Sequence, residues 1–201
     1  MFTRSTELDD REAFGLLLNT RGLMYGNAVE IGTDRGAFAR DLLTHWRGPQ
    51  LYCVDPWEIY RELYQPRQPD LMHAVAALAR FGDRVRLLQM TSERATHHVP
   101  GPIAFVYVDG LHATRAVLDD CLTWWPRLEP NGILAGHDLQ KPRVREAVEL
   151  FAEHVGHRVY GTGARTGSPS WYIYRDPATE PVPWKVAGWL GRRSPLSGGL
   201  S

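Results

Sequence analysis

The segment IAFVYV at residues 103–108 is apolar at every position, and it restricts the possible folds more than any other feature of the chain. A strand of this kind must be covered on both faces, which is typical of a parallel sheet with helices on each side. Other apolar runs end near residues 32, 55, 90 and 136, and segments with helical periodicity lie between them. This alternation predicts an α/β fold with a doubly wound sheet.

The same patterns predict the positions of the individual elements. Strands are expected at 27–32, 51–55, 85–90, 103–108, 131–136, 157–162 and 170–175, with a Gly-rich turn between the last two. Helices are expected at 9–18, from Gly36 onward, and at 70–81, 113–125 and 142–156. We expect one domain over residues 1–176. A Pro/Gly-rich tail at 177–201 would fray, with a membrane surface or a second subunit as the alternative contact of its tryptophans.

Residues 57–70 interrupt this pattern with an aromatic and basic insertion. Its aromatic and basic side chains are Trp57, Tyr60, Arg61, Tyr64 and Arg67. Long loops in compact domains are often functional, so one interpretation is a lid over cofactor or substrate. The other interpretation is a disordered loop.

The composition disfavours several classes of protein. Lys and Arg together number 23 and Asp and Glu also number 23, so the chain lacks the basic excess of proteins that bind nucleic acid or anionic membranes. Cys53 and Cys121 lie far apart in apolar runs, which indicates buried thiols in a reducing compartment. The N-terminal segment is too polar for a signal peptide, and no apolar run has the length of a membrane span. We therefore expect a cytoplasmic protein.

The turn after the first predicted strand is the clearest sign of a ligand, because open α/β sheets bind ligands at the carboxyl ends of their strands. Its sequence is E-I-G-T-D-R-G at residues 30–36, and the glycines allow a ligand to approach the backbone closely. Asp34 stands where the nicotinamide fingerprint requires glycine, and its carboxylate would repel a pyrophosphate. Asp55, after the second strand, can accept hydrogen bonds from both hydroxyls of a ribose. The pattern favours a nucleoside with a cationic end, and S-adenosylmethionine fits that description.

At this point the sequence resembles a known family. E-I-G-T-D-R-G resembles the first motif of the class I S-adenosylmethionine-dependent methyltransferases, and V-D-P-W at 54–57 resembles their acidic second motif. Y-V-D-G-L-H at 107–112 and G-H-D at 136–138 are similar to the small-molecule O-methyltransferases related to macrocin O-methyltransferase and the cephalosporin-hydroxylase-like proteins. The resemblance implies a Rossmann-like, seven-stranded sheet in the order 3-2-1-4-5-7-6, with the last strand antiparallel.

The resemblance also implies a cofactor site. Gly32 and Gly36 would pass the methionine part of S-adenosylmethionine, Asp55 would hold the ribose, and residues 90–92 would flank the adenine. The full predicted cofactor-binding set is Glu30, Gly32, Thr33, Asp34, Gly36, Asp55, Trp57, Thr91, Ser92 and Asp109. For Glu30 the alternative is a buried acid at the end of a strand with no ligand contact.

Relatives of this family commonly bind a divalent metal, through one acidic residue after the fourth strand and two after the fifth. The matching positions are Asp109, His137 and Asp138, so the resemblance implies Mg²⁺ or Mn²⁺ at these residues. Imidazole suits Mn²⁺, Fe²⁺ or Zn²⁺ better than Mg²⁺. Either the metal differs from Mg²⁺, or only Asp109 and Asp138 touch it. His112 is a candidate general base, with a purely structural role in its loop as the alternative.

The helix predicted at 113–125 carries two acids and two tryptophans beside these candidates. Asp119 and Asp120 are expected to be solvated or to pair with neighbours on the helix. Trp124 and Trp125 are expected to pack in the core rather than to stack on a ligand.

Together these features predict an S-adenosylmethionine-dependent O-methyltransferase with Asp109 and His112 as catalytic residues. Its acceptor would be a hydroxyl of a small molecule, a sugar or a secondary metabolite, and a homodimer is left open. The main alternative is a non-catalytic nucleoside-binding module, against which the acids at 109 and 138 argue. A nicotinamide oxidoreductase is disfavoured by Asp34.

Overall fold

One mixed sheet organises the computed structural model, which describes residues 3–4, 8–57, 68–163 and 168–177. Its eight described strands are β1 (Thr3–Arg4), β2 (Asn27–Ile31), β3 (Leu51–Val54), β4 (Val85–Leu88), β5 (Ile103–Val108), β6 (Leu128–Gly136), β7 (Tyr160–Gly161) and β8 (Trp171–Tyr174). They lie in the order β1-β7-β8-β6-β5-β2-β3-β4. β8 is antiparallel to β6 and β7, whereas the other neighbouring strands are parallel.

This topology confirms the predicted fold class. Without β1, the strands numbered along the chain stand in the order 3-2-1-4-5-7-6, and the last strand is antiparallel. β1 was not predicted, because a strand of two residues carries no periodicity and forms here only by pairing with the edge of β7. The β6 strand begins at Leu128 rather than at residue 131, and β7 covers only part of the predicted 157–162.

Helices cover both faces of the sheet. They are α1 (Phe14–Thr20), α2 (Ala37–His45), α3 (Gln68–Leu78), α4 (Ser92–Ala95), α5 (Thr114–Trp124) and α6 (Pro142–Val155). The short α4 was not predicted, and α1 begins later than expected because residues 11–13 form a 3-10 turn. None of the helices in the described part of the chain has the length and apolar character needed to cross a bilayer. Residues 58–67, which make up most of the predicted insertion, and the tail after residue 177 lie outside the described residues.

Both faces of β5 are buried, as its sequence predicts. Val106 and Val108 pack on one side together with Trp124, which is fully buried. Tyr107 packs on the other side, where its ring stacks on Phe38 with 3.7 Å between centroids. Full burial of an apolar side chain such as that of valine stabilises the fold by about 1.5–3 kcal/mol. This two-sided packing fixes the carboxyl end of β5, from which the candidate site begins.

Candidate functional site

The turn between β2 and α2 passes directly against the end of β5. Gly32 has φ +85°, and a side chain at this position would overlap the carbonyl group of Asp109. Gly36 has φ +78° and is the residue from which α2 begins. Since only glycine combines this conformation with such close approach, the turn and Asp109 are held against each other.

Asp55 connects this turn to the end of β3. Its Oδ2 accepts a hydrogen bond from the Asp34 backbone N–H (3.0 Å), and its Oδ1 accepts one from the Trp57 backbone N–H (2.8 Å). The Trp57 indole in turn donates to the carbonyl oxygen of Asp34 (2.8 Å). Asp55 and Trp57 are both buried, while the Asp34 side chain is exposed. Because a carboxylate oxygen accepts more than one hydrogen bond, Asp55 also suits a pair of ribose hydroxyls.

A cavity of about 330 Å³ lies beside this turn, on the side of the sheet that α4 and α5 cover. Its floor is apolar, and its rim carries hydroxyl and carboxyl groups. The residues that line it are Ile31, Gly32, Val54, Pro56, Thr91, Ser92, Glu93, Gly110, Leu111, Ala116, Asp119 and Asp120. The predicted Gly32, Thr91 and Ser92 therefore surround one space, and its volume falls in the range of small-molecule sites.

Asp120 differs from the expectation that it is solvated. It lines the cavity and is partly buried, and burial raises its pKa to about 6. Its neighbour Asp119 also lines the cavity but is more exposed, and it forms the expected ion pair with Arg115 one turn away on α5 (2.7 Å). Sequence reasoning missed Asp120 because two adjacent helix positions point in directions about 100° apart, and only the tertiary structure decides which direction is inward.

A cluster of two acids and a histidine lies at the ends of β5 and β6. Asp109, His137 and Asp138 each offer one ligand atom, and these atoms all lie within 4.8 Å of one another. His137 Nδ1 is 3.6 Å from Asp109 Oδ1 and 3.5 Å from Asp138 Oδ1. The structure thus brings together the three predicted metal ligands.

The side chains of His112 and Lys141 also contact this cluster. His112 Nε2 lies 2.6 Å from Asp138 Oδ2 and 3.8 Å from Asp109 Oδ1. Lys141 Nζ also lies 2.6 Å from Asp138 Oδ2, a contact that the sequence analysis missed although Lys141 follows Asp138 by only three residues. Burial alone would raise the pKa of Asp138, but hydrogen bonds from Lys141 and Gln140 lower it to about 2. Asp138 is therefore a carboxylate at every physiological pH.

Glu30 lies at the end of β2, below the turn, and is almost completely buried. Its Oε2 accepts no hydrogen bond from a described residue. Burial, helped by the negative charge of Asp109, raises the pKa of Glu30 to about 8. A buried acid without a full set of partners is costly, so Glu30 and the neighbouring buried Thr33 mark a place where a polar ligand group would be favoured.

This fold and this edge of the sheet are those of a class I S-adenosylmethionine-dependent methyltransferase. Residues 29–139 match the family of the methyltransferase domain, and because the match covers more than half of the chain, the protein belongs to that family. No curated protein matches the chain.

Several solved structures share the fold. TomG, an O-methyltransferase from Streptomyces achromogenes involved in tomaymycin synthesis and solved with S-adenosylmethionine, has 16% identity and a TM-score of 0.59, over 83% of this chain and 79% of that one. An O-methyltransferase from Bacillus cereus solved with S-adenosylhomocysteine has 15% identity and a TM-score of 0.56, over 82% and 80%. An rRNA methylase from Streptococcus thermophilus has 18% identity and a TM-score of 0.57, over 80% and 95%. At these identities the likeness is one of fold alone.

Proposed function

We propose that this methyltransferase acts on a hydroxyl oxygen of a small molecule, with Asp109 and His112 as catalytic residues. The observation that carries the proposal is the contact between Gly32 and the backbone of Asp109. Because of this contact, the cofactor turn and the cluster of Asp109, His112, His137 and Asp138 share one edge of the sheet. A cofactor on the turn would therefore lie next to an acceptor on the cluster.

The residues on the cofactor side fit S-adenosylmethionine. Asp55 would hold the ribose, the 330 Å³ cavity would take the base, and the turn from Gly32 to Gly36 would carry the methionine part. The buried Oε2 of Glu30 has no described hydrogen-bond partner, which fits a polar donor group of the ligand beside the turn. When bound, S-adenosylmethionine supplies a methyl group whose bond to sulfur breaks as the acceptor oxygen bonds to its carbon. Asp34, Thr33 and Trp57 belong to the same proposed set, Trp57 through its hold on the turn.

His112 is the base in this proposal. A hydroxyl that becomes a methyl ether must lose its proton, and a positioned histidine suits that task because it exchanges protons near neutral pH. His112 is partly exposed, so an acceptor can reach it, and the carboxylate of Asp138 orients its ring from 2.6 Å. Asp138 would also stabilise the imidazolium that forms. Orientation of this kind contributes to catalysis by positioning the reacting groups.

A divalent cation fits the same cluster. Asp109, His137 and Asp138 would hold it, and it would favour the ionised form of an acceptor hydroxyl. Two carboxylates and one imidazole suit Mn²⁺ better than Mg²⁺. Lys141 Nζ occupies the side of Asp138 Oδ2, so the ion and the ammonium group would compete for this carboxylate.

The proposed class of acceptor follows from the resemblance of residues 107–112 and 136–138 to the macrocin-type O-methyltransferases. It favours a sugar or a secondary metabolite as the acceptor. The equal numbers of acidic and basic residues favour such a substrate over RNA.

We further propose a single catalytic domain over residues 1–176, and a cytoplasmic location because Cys53 and Cys121 are buried free thiols. A homodimer remains compatible with this function.

The test is methyl transfer with a panel of hydroxylated small molecules, followed through the release of S-adenosylhomocysteine, with and without Mn²⁺. Asp109→Asn should abolish transfer, whereas Asp41→Asn, at a helix residue paired with Arg40, should not change it. Turnover by Asp109→Asn at the wild-type rate in the presence of EDTA would overturn the proposed role of the cluster. Cofactor binding without turnover of any acceptor class would favour the non-catalytic nucleoside-binding alternative.

A further inference from the structure

The carboxyl group of Asp120 faces the nucleoside cavity from α5. Its Oδ2 lies 4.0 Å from the point where a side chain would begin at Gly110, which follows β5. Two other acids line this cavity, but Glu93 is exposed and Asp119 is paired with Arg115 on α5. Asp120 is therefore enclosed where the purine of a nucleoside would end, rather than exposed on the helix.

A chain of donors fixes the position of this carboxyl group. The indole N–H of the fully buried Trp124 donates to Ser92 Oγ (2.9 Å). Because this bond occupies an acceptor site of the hydroxyl, the Ser92 hydrogen is left to donate, and Asp120 is its partner. Trp124 and Ser92 thus hold Asp120 in one orientation toward the cavity.

The apolar part of the cavity cannot distinguish one purine from another, and its other polar side chains are those of Thr91, Ser92, Glu93 and Asp119. Ile31, Val54, Leu111 and Ala116 present apolar surface, which contacts the face of any base equally well. Bases differ along their edges, where adenine carries an amino group at position 6 and hypoxanthine carries a carbonyl oxygen. A carboxylate accepts hydrogen bonds, so it attracts the amino group and repels the carbonyl oxygen.

We propose that Asp120 is the residue that selects adenine, by accepting a hydrogen bond from its 6-amino group. This inference rests on the proposed cofactor position, in which the cavity takes the base and Asp55 takes the ribose. Asp120 is a specificity-determining residue for the cofactor, and Ser92 is the positioning residue that acts through it.

Binding measurements with two homocysteine nucleosides test this inference without any acceptor. S-adenosylhomocysteine and S-inosylhomocysteine, which differ only at position 6 of the base and its ring proton, are titrated calorimetrically into wild type, Asp120→Asn, Ser92→Ala and the control Asp41→Asn. Wild type and Asp41→Asn should bind the adenosyl compound about ten- to a hundredfold more tightly, as expected for one hydrogen bond to a charged group. Asp120→Asn should lose this preference, because an amide can donate to the carbonyl oxygen. Ser92→Ala should reduce the preference to an intermediate value.

The outcomes separate the two proposals. If wild type binds S-adenosylhomocysteine and Asp120→Asn keeps the full preference, the role of Asp120 is overturned while the proposed cofactor site stands. If wild type binds both compounds equally, the role of Asp120 is likewise overturned. If wild type binds neither compound, the cofactor site itself is overturned and the role of Asp120 with it. Should Asp120→Asn fail to fold, the change of preference in Ser92→Ala decides the question.

Discussion

His112 Nε2 lies 2.6 Å from Asp138 Oδ2, so a side chain that follows β5 is held by a side chain that follows β6. The two strands are parallel neighbours, and His137 donates its backbone N–H to Val108, which keeps their ends in register. The pair has the arrangement of a base and the group that orients it. Its role can be tested separately from cofactor binding.

We expect His112→Gln and Asp138→Asn each to lower the rate of methyl transfer by about 10²–10⁴-fold, the usual contribution of a positioned base. The affinity for S-adenosylhomocysteine should stay within about twofold of wild type, since neither residue lines the nucleoside cavity. Single-turnover rates and calorimetry measure the two quantities. His97→Gln, at an exposed histidine, is the control. A rate for His112→Gln close to that of wild type would leave His112 with a role in loop structure only.

Replacing Lys141 should strengthen metal binding. Its ammonium group lies 2.6 Å from Asp138 Oδ2 and therefore opposes a cation at the same carboxylate. Removing one charge a few ångströms away is worth about 1 kcal/mol in a well-solvated site, so Lys141→Gln should bind Mn²⁺ roughly five- to tenfold more tightly. Titration of Mn²⁺ followed by electron paramagnetic resonance gives the affinity, with Arg143→Gln on the exposed side of α6 as the charge control. Weaker binding in Lys141→Gln would show that the lysine supports the ion.

We expect Glu30 to make the protein less stable as the pH rises. Its pKa is about 8 in the folded protein against an ordinary value of 4.5, so the folded state holds this proton more tightly than the unfolded state does. The stabilisation is fully present below about pH 4.5 and is lost as the pH rises toward 8, at about 1.4 kcal/mol per pH unit. Glu30→Gln has no group that titrates at this position, so its free energy of unfolding should increase relative to that of wild type as the pH rises. Urea unfolding at pH 5, 6.5 and 8 measures the difference, and parallel pH profiles would contradict it.

Trp57 should affect the cofactor through the turn rather than by contact. Trp57→Phe removes the indole N–H that donates to the carbonyl oxygen of Asp34. The loss of one hydrogen bond costs about 1 kcal/mol, so the affinity for S-adenosylhomocysteine should fall about fivefold. Trp125→Phe, whose ring packs on Phe151 far from the turn, should leave the affinity unchanged. Equal affinities in both variants would mean that Asp55 alone holds the turn.

The sequence predicted those parts of the structure that depend on one local pattern. The apolar run at 103–108 indicated a strand buried on both faces, and the polar residues after each strand indicated the edge where the site lies. Asp109, His112, His137 and Asp138 were found in this way, because parallel strands bring their carboxyl ends together.

The features that the sequence analysis missed depend on contacts between distant segments. The orientation of Asp120 toward the cavity is set by Ser92 and Trp124, and no periodicity of α5 distinguishes Asp120 from Asp119. Lys141 contacts Asp138 across a turn in which the Asp138 backbone is left-handed, with φ +57°. Neither arrangement can be deduced from residue types along the chain.

In the proposed arrangement, the absence of a side chain at residue 32 would set the distance between the methyl donor and the acceptor. Any side chain added there would push the end of β5 away from the turn between β2 and α2, and the proposed acceptor site would move with it. Rates of group transfer fall steeply when reacting atoms are displaced by as little as about 1 Å. On this proposal a residue without functional groups would act as the spacer of the reaction, and redesign for bulkier acceptors would have to begin elsewhere along the edge.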